Sequence, residues 1–258
     1  MFKHTLTTLG LALGLAAAGL AHAGADFDYA DGKTALQGYL SGAELSGKHP
    51  GVLIVHQWMG LTGYEKGRAD QLTKELGVVA FAADVYGKGV RGTDMKSAGA
   101  LSGQYKGDRA LYQRRVSAAL AVLKKQPNVD PDKVAVIGYC FGGMGALDQA
   151  RLNAKVAGVE TFHGALEPLS PSAGGSIKPK VLVLHGADDP WENRDKVADL
   201  EKELTAAKAD YQVTLYSGAV HAFTQPDSGD DPSKGIAYNA AADKRSWAAM
   251  KAFFAEIF

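Results

Sequence analysis

The stretch VAVIGYCFGGMGALDQA, from Val134 to Ala150, predicts how the rest of the chain is arranged. Val134 to Ile137 is a short apolar run rich in β-branched residues, which is typical of a buried strand. Glycines crowd the turn that follows, and Ala146 to Ala150 suits a helix. Cys140 lies at the sharpest point of this strand–turn–helix unit.

Flanking glycines allow a strand and a helix to approach closely around such a turn, and Gly138 and Gly142 occupy those positions. The side chain at the apex projects beside the first N–H groups of the helix, where the helix dipole favours a thiolate. The turn is therefore predicted to be a nucleophile elbow that carries Cys140. A lone cysteine can also be a small buried apolar residue without a catalytic role, so the choice between the two depends on whether a base and an acid accompany it.

Two other glycine-rich motifs can be excluded for this turn. A phosphate-binding P-loop requires Lys followed by Ser or Thr where this chain has Met144 and Gly145. The dinucleotide-binding fingerprint requires glycines at i, i+2 and i+5, and no such set runs through the turn. Neither phosphate nor dinucleotide binding is predicted here.

Apolar runs of strand length alternate with helical patterns along the chain, without internal repeats or a linker-like break in composition. This alternation predicts an α/β fold with a mostly parallel, doubly wound sheet and helices on both faces, in one domain over residues 24–258. A helix is expected over 63–76, ending at Gly77. Residues 88–108 are glycine-rich and irregular with some helical character, and are expected to cover the surface, with a role as a lid left open.

The chain has 258 residues, and Lys plus Arg equals Asp plus Glu at 28 each. No charge excess therefore favours nucleic acid or an anionic membrane as a partner. Lys3, an apolar run and Ala21-His22-Ala23 predict a signal peptide over residues 1–23, cleaved after Ala23, and a periplasmic or secreted protein. No later stretch is long enough to span a membrane. We expect a monomer, with a dimer as the alternative.

Ligand sites in such sheets lie beyond the carboxyl ends of the strands, and two candidate partners of Cys140 follow strands there. A cysteine nucleophile needs a base and a group that orients the base. Asp189, in HGADDP, and His221, in SGAVHAF, come after Cys140 in the order nucleophile, acid, histidine. Asp188 is the alternative acid. Either aspartate alone could be a turn residue, but the ordered combination favours catalysis.

An oxyanion hole beside Cys140 would use the backbone N–H of Phe141 and a second N–H from the loop Gln57–Gly60. We assign the second donor to Trp58, whose indole could also form an apolar wall or serve structure alone. His56, His163 and His185 also end strands and stay unassigned. The histidines show no zinc-ligand spacing, so no metal and no cofactor is predicted.

The motifs GYCFGG, HGADDP and AVHAF, together with HQWMG and ADVYGKG, resemble the dienelactone hydrolase family of α/β-hydrolases over nearly the whole mature chain. The resemblance implies carboxylic-ester or lactone hydrolysis through a thioester acyl-enzyme, without a cofactor, with Cys140, His221 and Asp189 as the triad. Gln57 stands where the family usually carries a glutamate that helps activate the cysteine, so activation would rest on His221 and the helix start.

A second departure concerns the substrate. Gln225 stands where dienelactone-specific enzymes carry an arginine that helps bind the substrate carboxylate, so the substrate is expected either to differ from dienelactone or not to be an anion at all. Arg91 and Arg109 are candidate replacements. Gln57, Tyr86 and Gln225 are the predicted pocket residues. The hypothesis is an exported hydrolase of a small ester, lactone or thioester; the alternative is a weakly active or inactive ligand-binding or redox-responsive protein on the same fold.

Overall fold

The protein is built around one eight-stranded sheet in a computed structural model that describes residues 24–169 and 175–258. The predicted signal peptide, residues 1–23, lies outside the described residues. The strands are β1 (Ala25–Asp31), β2 (Thr34–Ser41), β3 (His49–Val55), β4 (Val79–Ala83), β5 (Val129–Tyr139), β6 (Gly158–Phe162), β7 (Lys180–Gly186) and β8 (Tyr211–Tyr216). The helices are α1 (Gly63–Leu76), α2 (Met95–Gly107), α3 (Arg109–Lys124), α4 (Phe141–Arg151), α5 (Arg194–Ala206) and α6 (Ala240–Ile257).

The strand order is β1-β2-β4-β3-β5-β6-β7-β8. All pairs from β4 to β8 are parallel, whereas β1 and β2 add to the β4 edge as antiparallel strands. In the middle of the sheet, Leu53 pairs with Phe81 on one side and Val136 on the other. The predicted mostly parallel sheet is confirmed, and the parallel strands end at one common edge.

Side chains of β3 alternate between two cores. Leu53 and Val55 face a core completed by α3, α4 and α5, whereas Val52 and Ile54 face a core completed by α1 and α6. All four side chains are fully buried. Burial on both faces explains the continuous apolar run in the sequence, because each parallel strand is covered by helices on either side.

Helix α1 has the predicted bounds. Thr62 is its N-cap and forms a reciprocal capping box with Glu65, while Gly77 ends it in the left-handed region at φ 64°. Helix α4 starts earlier than predicted, at Phe141 rather than Ala146. The glycines of its first turns are helical despite their low propensity, because the helix packs closely against neighbouring strands there.

Residues 88–108 are more regular than expected, because the helical character noted in the sequence is one continuous helix, α2 (Met95–Gly107). Asp94 caps it, and Ala98, Ser102 and Tyr105 are buried. Strand β1 was also missing from the sequence prediction, because this edge strand consists of exposed and half-buried residues and lacks the continuous apolar run that marks the buried strands. Among the described parts of the chain, no helix combines the length and apolar character needed to cross a bilayer.

Candidate active site

Cys140 lies between the last residue of β5 and the first residue of α4, with φ 52° and ψ −120°. A non-glycine residue is strained in this conformation and keeps it only where the surroundings hold it. A Cβ atom on Gly138 would overlap the Gly142 carbonyl, and a Cβ atom on Gly142 would overlap the Val55 carbonyl. The two glycines therefore have the close-approach role predicted for them.

The structure brings Cys140, His221 and Asp189 into one line of contacts. Cys140 Sγ lies 3.1 Å from His221 Nε2, and His221 Nδ1 lies 2.7 Å from Asp189 Oδ2. The other oxygen of Asp189 accepts the backbone N–H groups of Trp191 and Glu192 at 2.9 and 3.0 Å. These bonds fix the carboxylate so that one oxygen is directed at the imidazole. The arrangement can hold a nucleophile, a proton carrier and an orienting acid.

The alternative acid, Asp188, points away from this line and accepts the backbone N–H of Gly218 at 3.0 Å. Asp188 thereby fastens the loop after β8, which carries His221. The two neighbouring aspartates therefore make different contacts: Asp188 binds the backbone of the loop, and Asp189 contacts His221.

The charges of the site favour a protonated His221. Burial alone would lower the pKa of His221, but the negative charge of Cys140 and the hydrogen bond to Asp189 raise it to about 10. Burial would likewise raise the pKa of Asp189, yet the bond and charge of His221 together with backbone donors lower it to about 2. A protonated imidazole held against the ionised Asp189 carboxylate is therefore the favoured state of this pair near neutral pH.

Two further histidines lie behind this pair. His163 is fully buried at φ 39°, its ring centroid is 5.3 Å from that of His221, and its Nε2 lies 2.8 Å from Thr224 Oγ1. His185 Nε2 donates to the Glu192 carbonyl at 2.7 Å. Burial lowers the pKa of both rings. Neutral rings at these positions pack beside the imidazolium without adding a second positive charge.

A hydrogen-bond chain continues from Thr224 towards α6. Thr224 Oγ1 lies 2.6 Å from the Tyr64 hydroxyl, which accepts from Arg68 Nε at 3.2 Å. Arg68 in turn donates to Asp243 at 2.6 Å. The rear of the site is thus joined to α1 and to the closing helix.

The loop Gln57–Gly60 follows β3 and is fastened by its carbonyl groups. His56 Nε2 accepts the N–H of Val85, so the proton of the neutral ring is on Nδ1, which donates to the Gln57 carbonyl at 2.5 Å. The Tyr86 hydroxyl donates to the Trp58 carbonyl at 2.9 Å. The Trp58 N–H has no acceptor among the described residues. Phe141 N–H is the first of its helix and needs no helical partner, so both predicted donors are available to an oxyanion.

A cleft of about 380 Å³ opens above Cys140 and contains part of the predicted pocket. Gln57 and Gln225 line it, whereas Tyr86 does not: its side chain is buried behind the loop and holds the Trp58 carbonyl. The described lining residues include none from 88–108. The full lining is Gln57, Trp58, Cys140, Trp191, His221, Ala222, Gln225, Ser228 and Ile236.

Sequence reasoning missed part of this lining. Trp191, half-exposed, meets the edge of the His221 ring at a centroid distance of 5.2 Å. Ala222, at φ 57°, directs the chain from His221 back towards Gln225. Trp191 directly follows HGADDP and could have been noted from its place beside the predicted acid, whereas Ile236 has no such signal. A larger cavity of about 460 Å³ between α4 and α5 contains none of the predicted site residues.

The two arginines proposed as carboxylate binders are engaged elsewhere. Arg91 Nε donates to the Leu61 carbonyl at 2.5 Å, and its guanidinium lies 3.4 Å from Asp84. Arg109 makes two bonds to the buried Asp148, at 2.5 and 2.7 Å. Neither lines the cleft. The suggestion that they replace the missing arginine is therefore wrong, and Arg109 instead anchors α4 to α3.

The chain is similar to known proteins in sequence and in fold. The model of the dienelactone hydrolase family matches residues 36–258. A protein of Aquifex aeolicus with the provisional name carboxymethylenebutenolidase is 31% identical over 206 residues, which cover 77% of this chain and 87% of that protein.

Two solved structures are also similar to the chain. The dienelactone hydrolase-like promiscuous phosphotriesterase P91 from metagenomic libraries superposes with a TM-score of 0.86 at 41% identity, covering 91% of this chain and 98% of its own. The structure named m3DLH has the same TM-score and coverage at 37% identity. The chain therefore belongs to the dienelactone hydrolase family of the α/β-hydrolase superfamily and is a carboxylic-ester hydrolase.

Proposed function

We propose that this protein hydrolyses small, uncharged esters, lactones or thioesters through a thioester acyl-enzyme on Cys140. The observation that carries the proposal is the line from Cys140 Sγ to His221 Nε2 and from His221 Nδ1 to Asp189, at the apex of a strained turn. Family membership supports hydrolysis, and the line of contacts supports the residues that perform it.

In the first half of the reaction, the Cys140 thiolate attacks the carbonyl carbon, and the carbonyl π electrons move onto oxygen. The N–H groups of Trp58 and Phe141 stabilise the oxyanion. When the tetrahedral intermediate collapses, the carbon–oxygen bond to the leaving group breaks, and His221 gives its proton to the departing oxygen. The products are an alcohol and a thioester on Cys140.

In the second half, water attacks the thioester while His221 Nε2 takes one of its protons. Collapse breaks the carbon–sulfur bond, releases the carboxylic acid and restores the thiolate beside the imidazolium. Asp189 holds the ring orientation in both halves and stabilises its positive charge. Gln57 carries no charge and takes no proton at neutral pH, so His221 is the base.

The lining of the cleft favours an uncharged substrate. Apart from the reacting groups it consists of neutral side chains, with Trp58, Trp191 and Ile236 as apolar surface and Gln57 and Gln225 as hydrogen-bonding groups. A substrate carboxylate placed there would lose its hydration without gaining a cation, and would lie near the Cys140 thiolate. Neutral acyl and alcohol groups avoid both costs.

Phosphotriester hydrolysis is a second candidate activity. The specific observation in its favour is the 41% identity to P91, whose name describes a promiscuous phosphotriesterase, over almost the whole length of both chains. A phosphotriester is also uncharged, which suits the neutral lining of the cleft.

Export to the periplasm or the medium is proposed on the sequence of residues 1–23 alone. Expression of the full-length chain followed by fractionation and N-terminal sequencing tests it. A mature N-terminus at Gly24 is expected, and a cytoplasmic product that retains Met1 would contradict export.

The decisive experiment compares the mature protein with Cys140→Ala and Cys140→Ser variants on chromogenic short-chain esters, dienelactone and an aryl phosphotriester. Turnover by the wild type, an acyl mass on Cys140 in the intact enzyme, and a rate lower by several orders of magnitude in Cys140→Ala are expected, as for other triads. Unchanged turnover in Cys140→Ala would refute the nucleophile. A folded, reduced wild type without turnover or adduct would favour the binding or redox-responsive alternative.

A further inference from the structure

Glu65 is a fully buried carboxylate close to the site that the proposed reaction does not use. It occupies the third position of α1 and does not line the cleft. Its side chain reaches back from the helix to the loop Gln57–Thr62, which includes the predicted oxyanion donor Trp58.

The carboxylate binds both ends of this loop. Oε1 accepts the backbone N–H of Gln57 at 3.2 Å, and Oε2 accepts the N–H of Thr62 at 2.9 Å and its hydroxyl at 2.7 Å. A capping box accounts for the contacts with Thr62, but it does not require the contact with Gln57. That contact crosses eight residues of sequence and joins the start of α1 to the end of β3.

The contact fixes the peptide unit on one side of Gln57, and the other side is fixed as well. The Gln57 carbonyl accepts from His56 Nδ1 at 2.5 Å and from the Gly60 N–H at 3.1 Å. In a trans peptide the C=O and the following N–H point in opposite directions. With the Gln57 carbonyl held on its two donors, the N–H of Trp58 is directed away from them and stays without a protein acceptor in the described chain.

We propose that Glu65 is a positioning residue of the oxyanion hole. By holding the N–H of Gln57 it sets the backbone of the loop so that the Trp58 N–H faces the reacting carbonyl oxygen. This inference rests on the proposed function, because it assigns the Trp58 N–H to the oxyanion. A carboxylate suits the task, since both of its oxygens accept and three donors converge on it.

Glu65→Gln tests the proposal with little change in size. An amide has one accepting oxygen, so either the Gln57 N–H or the Thr62 donors would face an NH₂ group. Thr62→Val is the matched control: it removes the hydroxyl contacts of the capping box and leaves the bond from Gln57 to Glu65 in place. Both variants weaken helix capping, but only Glu65→Gln changes the group that holds the N–H of Gln57.

We expect Glu65→Gln to lower kcat on a neutral chromogenic ester by about 10- to 100-fold, with KM changed by no more than about twofold, as for a displaced oxyanion donor. Thr62→Val should keep kcat within about twofold of the wild type. Alkylation of Cys140 by iodoacetamide forms no oxyanion, so its rate should be equal in all three proteins. A parallel fall in alkylation and kcat would place the defect at Cys140 and overturn the proposal.

Hydrogen-exchange mass spectrometry over residues 56–62 gives a readout that does not depend on turnover. Faster exchange in Glu65→Gln than in Thr62→Val is expected, and equal exchange together with a wild-type kcat would overturn the positioning role. Failure of the proposed function is recognised separately, by a wild type that turns over no ester. In that case the exchange rates alone decide whether Glu65 orders the loop.

Discussion

Two glutamates of this protein are almost completely removed from solvent, and their surroundings are opposite. Glu65, 0% exposed, receives three hydrogen bonds from the loop Gln57–Thr62. Glu160, 1% exposed, lies in β6, and neither of its carboxyl oxygens has a hydrogen-bond partner among the described residues. Burial alone therefore does not determine what a carboxyl group contributes to stability, because only hydrogen-bond donors can replace the water that the group loses.

The surroundings of Glu160 offer no compensation. Burial raises the pKa of Glu160 well above the ordinary value of 4.5, which favours the protonated, neutral form of the side chain. The nearby hydroxyls of Tyr139 and Tyr216 are also buried, without partners in the described part of the chain. Glu65 therefore has donors for both of its oxygens, whereas Glu160 and the two tyrosine hydroxyls form a buried polar cluster that is expected to lower stability.

The largest effect is expected where the satisfied carboxylate is removed. Glu65→Leu would leave the buried N–H of Gln57 and the two half-buried donors of Thr62 without their acceptor. Because an unsatisfied buried donor costs about 1–3 kcal/mol and the packing of the site also changes, the free energy of unfolding should fall by about 3–5 kcal/mol. Urea denaturation at pH 7 measures this value. A loss below about 1 kcal/mol would mean that water satisfies those donors, and that Glu65 does not differ from Glu160 in its contribution to stability.

Glu160→Met should have the opposite sign. The unbranched apolar side chain replaces a buried group that has no partner, so we expect the free energy of unfolding to rise by about 2 kcal/mol at pH 7. The same denaturation experiment tests it. A decrease would show that Glu160 makes a contact that compensates for its burial.

The effect of Glu160 should also depend on pH. Below pH 4.5 the folded and unfolded chains both hold the proton; above it the unfolded chain releases the proton while the folded chain keeps it. The contribution of Glu160 to the free energy of unfolding is therefore fully present at low pH. It is lost as the pH rises towards the folded-state pKa, by at most about 1.4 kcal/mol per pH unit. The advantage of Glu160→Met should be larger at pH 7.5 than at pH 5. An advantage that shrinks with rising pH would contradict the raised pKa.

The smallest effects sharpen the same contrast with tyrosines. Tyr216→Phe removes a hydroxyl without a partner and should change the free energy of unfolding by less than about 0.5 kcal/mol or raise it. Tyr64→Phe removes a hydroxyl that contacts Thr224 and Arg68, and should cost about 1 kcal/mol. Thermal unfolding of both variants provides the measurement. Equal losses would mean that hydrogen-bond partners do not distinguish the two regions.

The meeting of Cys140, Asp189 and His221 could be anticipated from sequence, because each directly follows or closely follows a parallel strand and such strands end at one edge. The glycines around Cys140 likewise predicted the sharp turn between β5 and α4. Tyr86 also follows a strand, but the strand-end rule does not say which way a side chain turns, and its hydroxyl faces the Trp58 carbonyl rather than the cleft.

Other features were harder to predict for identifiable reasons. Helix α2 contains several glycines, and its burial against α3 outweighs their low helix propensity. Glu65 had a visible signal, the capping-box pattern from Thr62 to Glu65, but its bond to Gln57 depends on the packing of α1 against β3. Glu160 had none, since a single glutamate in an apolar strand does not reveal whether a donor faces it.

The spacing of the site along the chain has a consequence for folding order. Cys140 is 81 residues upstream of the histidine that contacts it, and the cleft is completed only by Ile236. Contacts between residues so distant in sequence form late, because long loops must close first. A chain that emerges from its N-terminus thus contains Cys140 long before Asp189 and His221. Under the proposed function, the ability to hydrolyse esters is one of the last properties that this protein acquires, and a chain that ends before His221 is expected to lack activity.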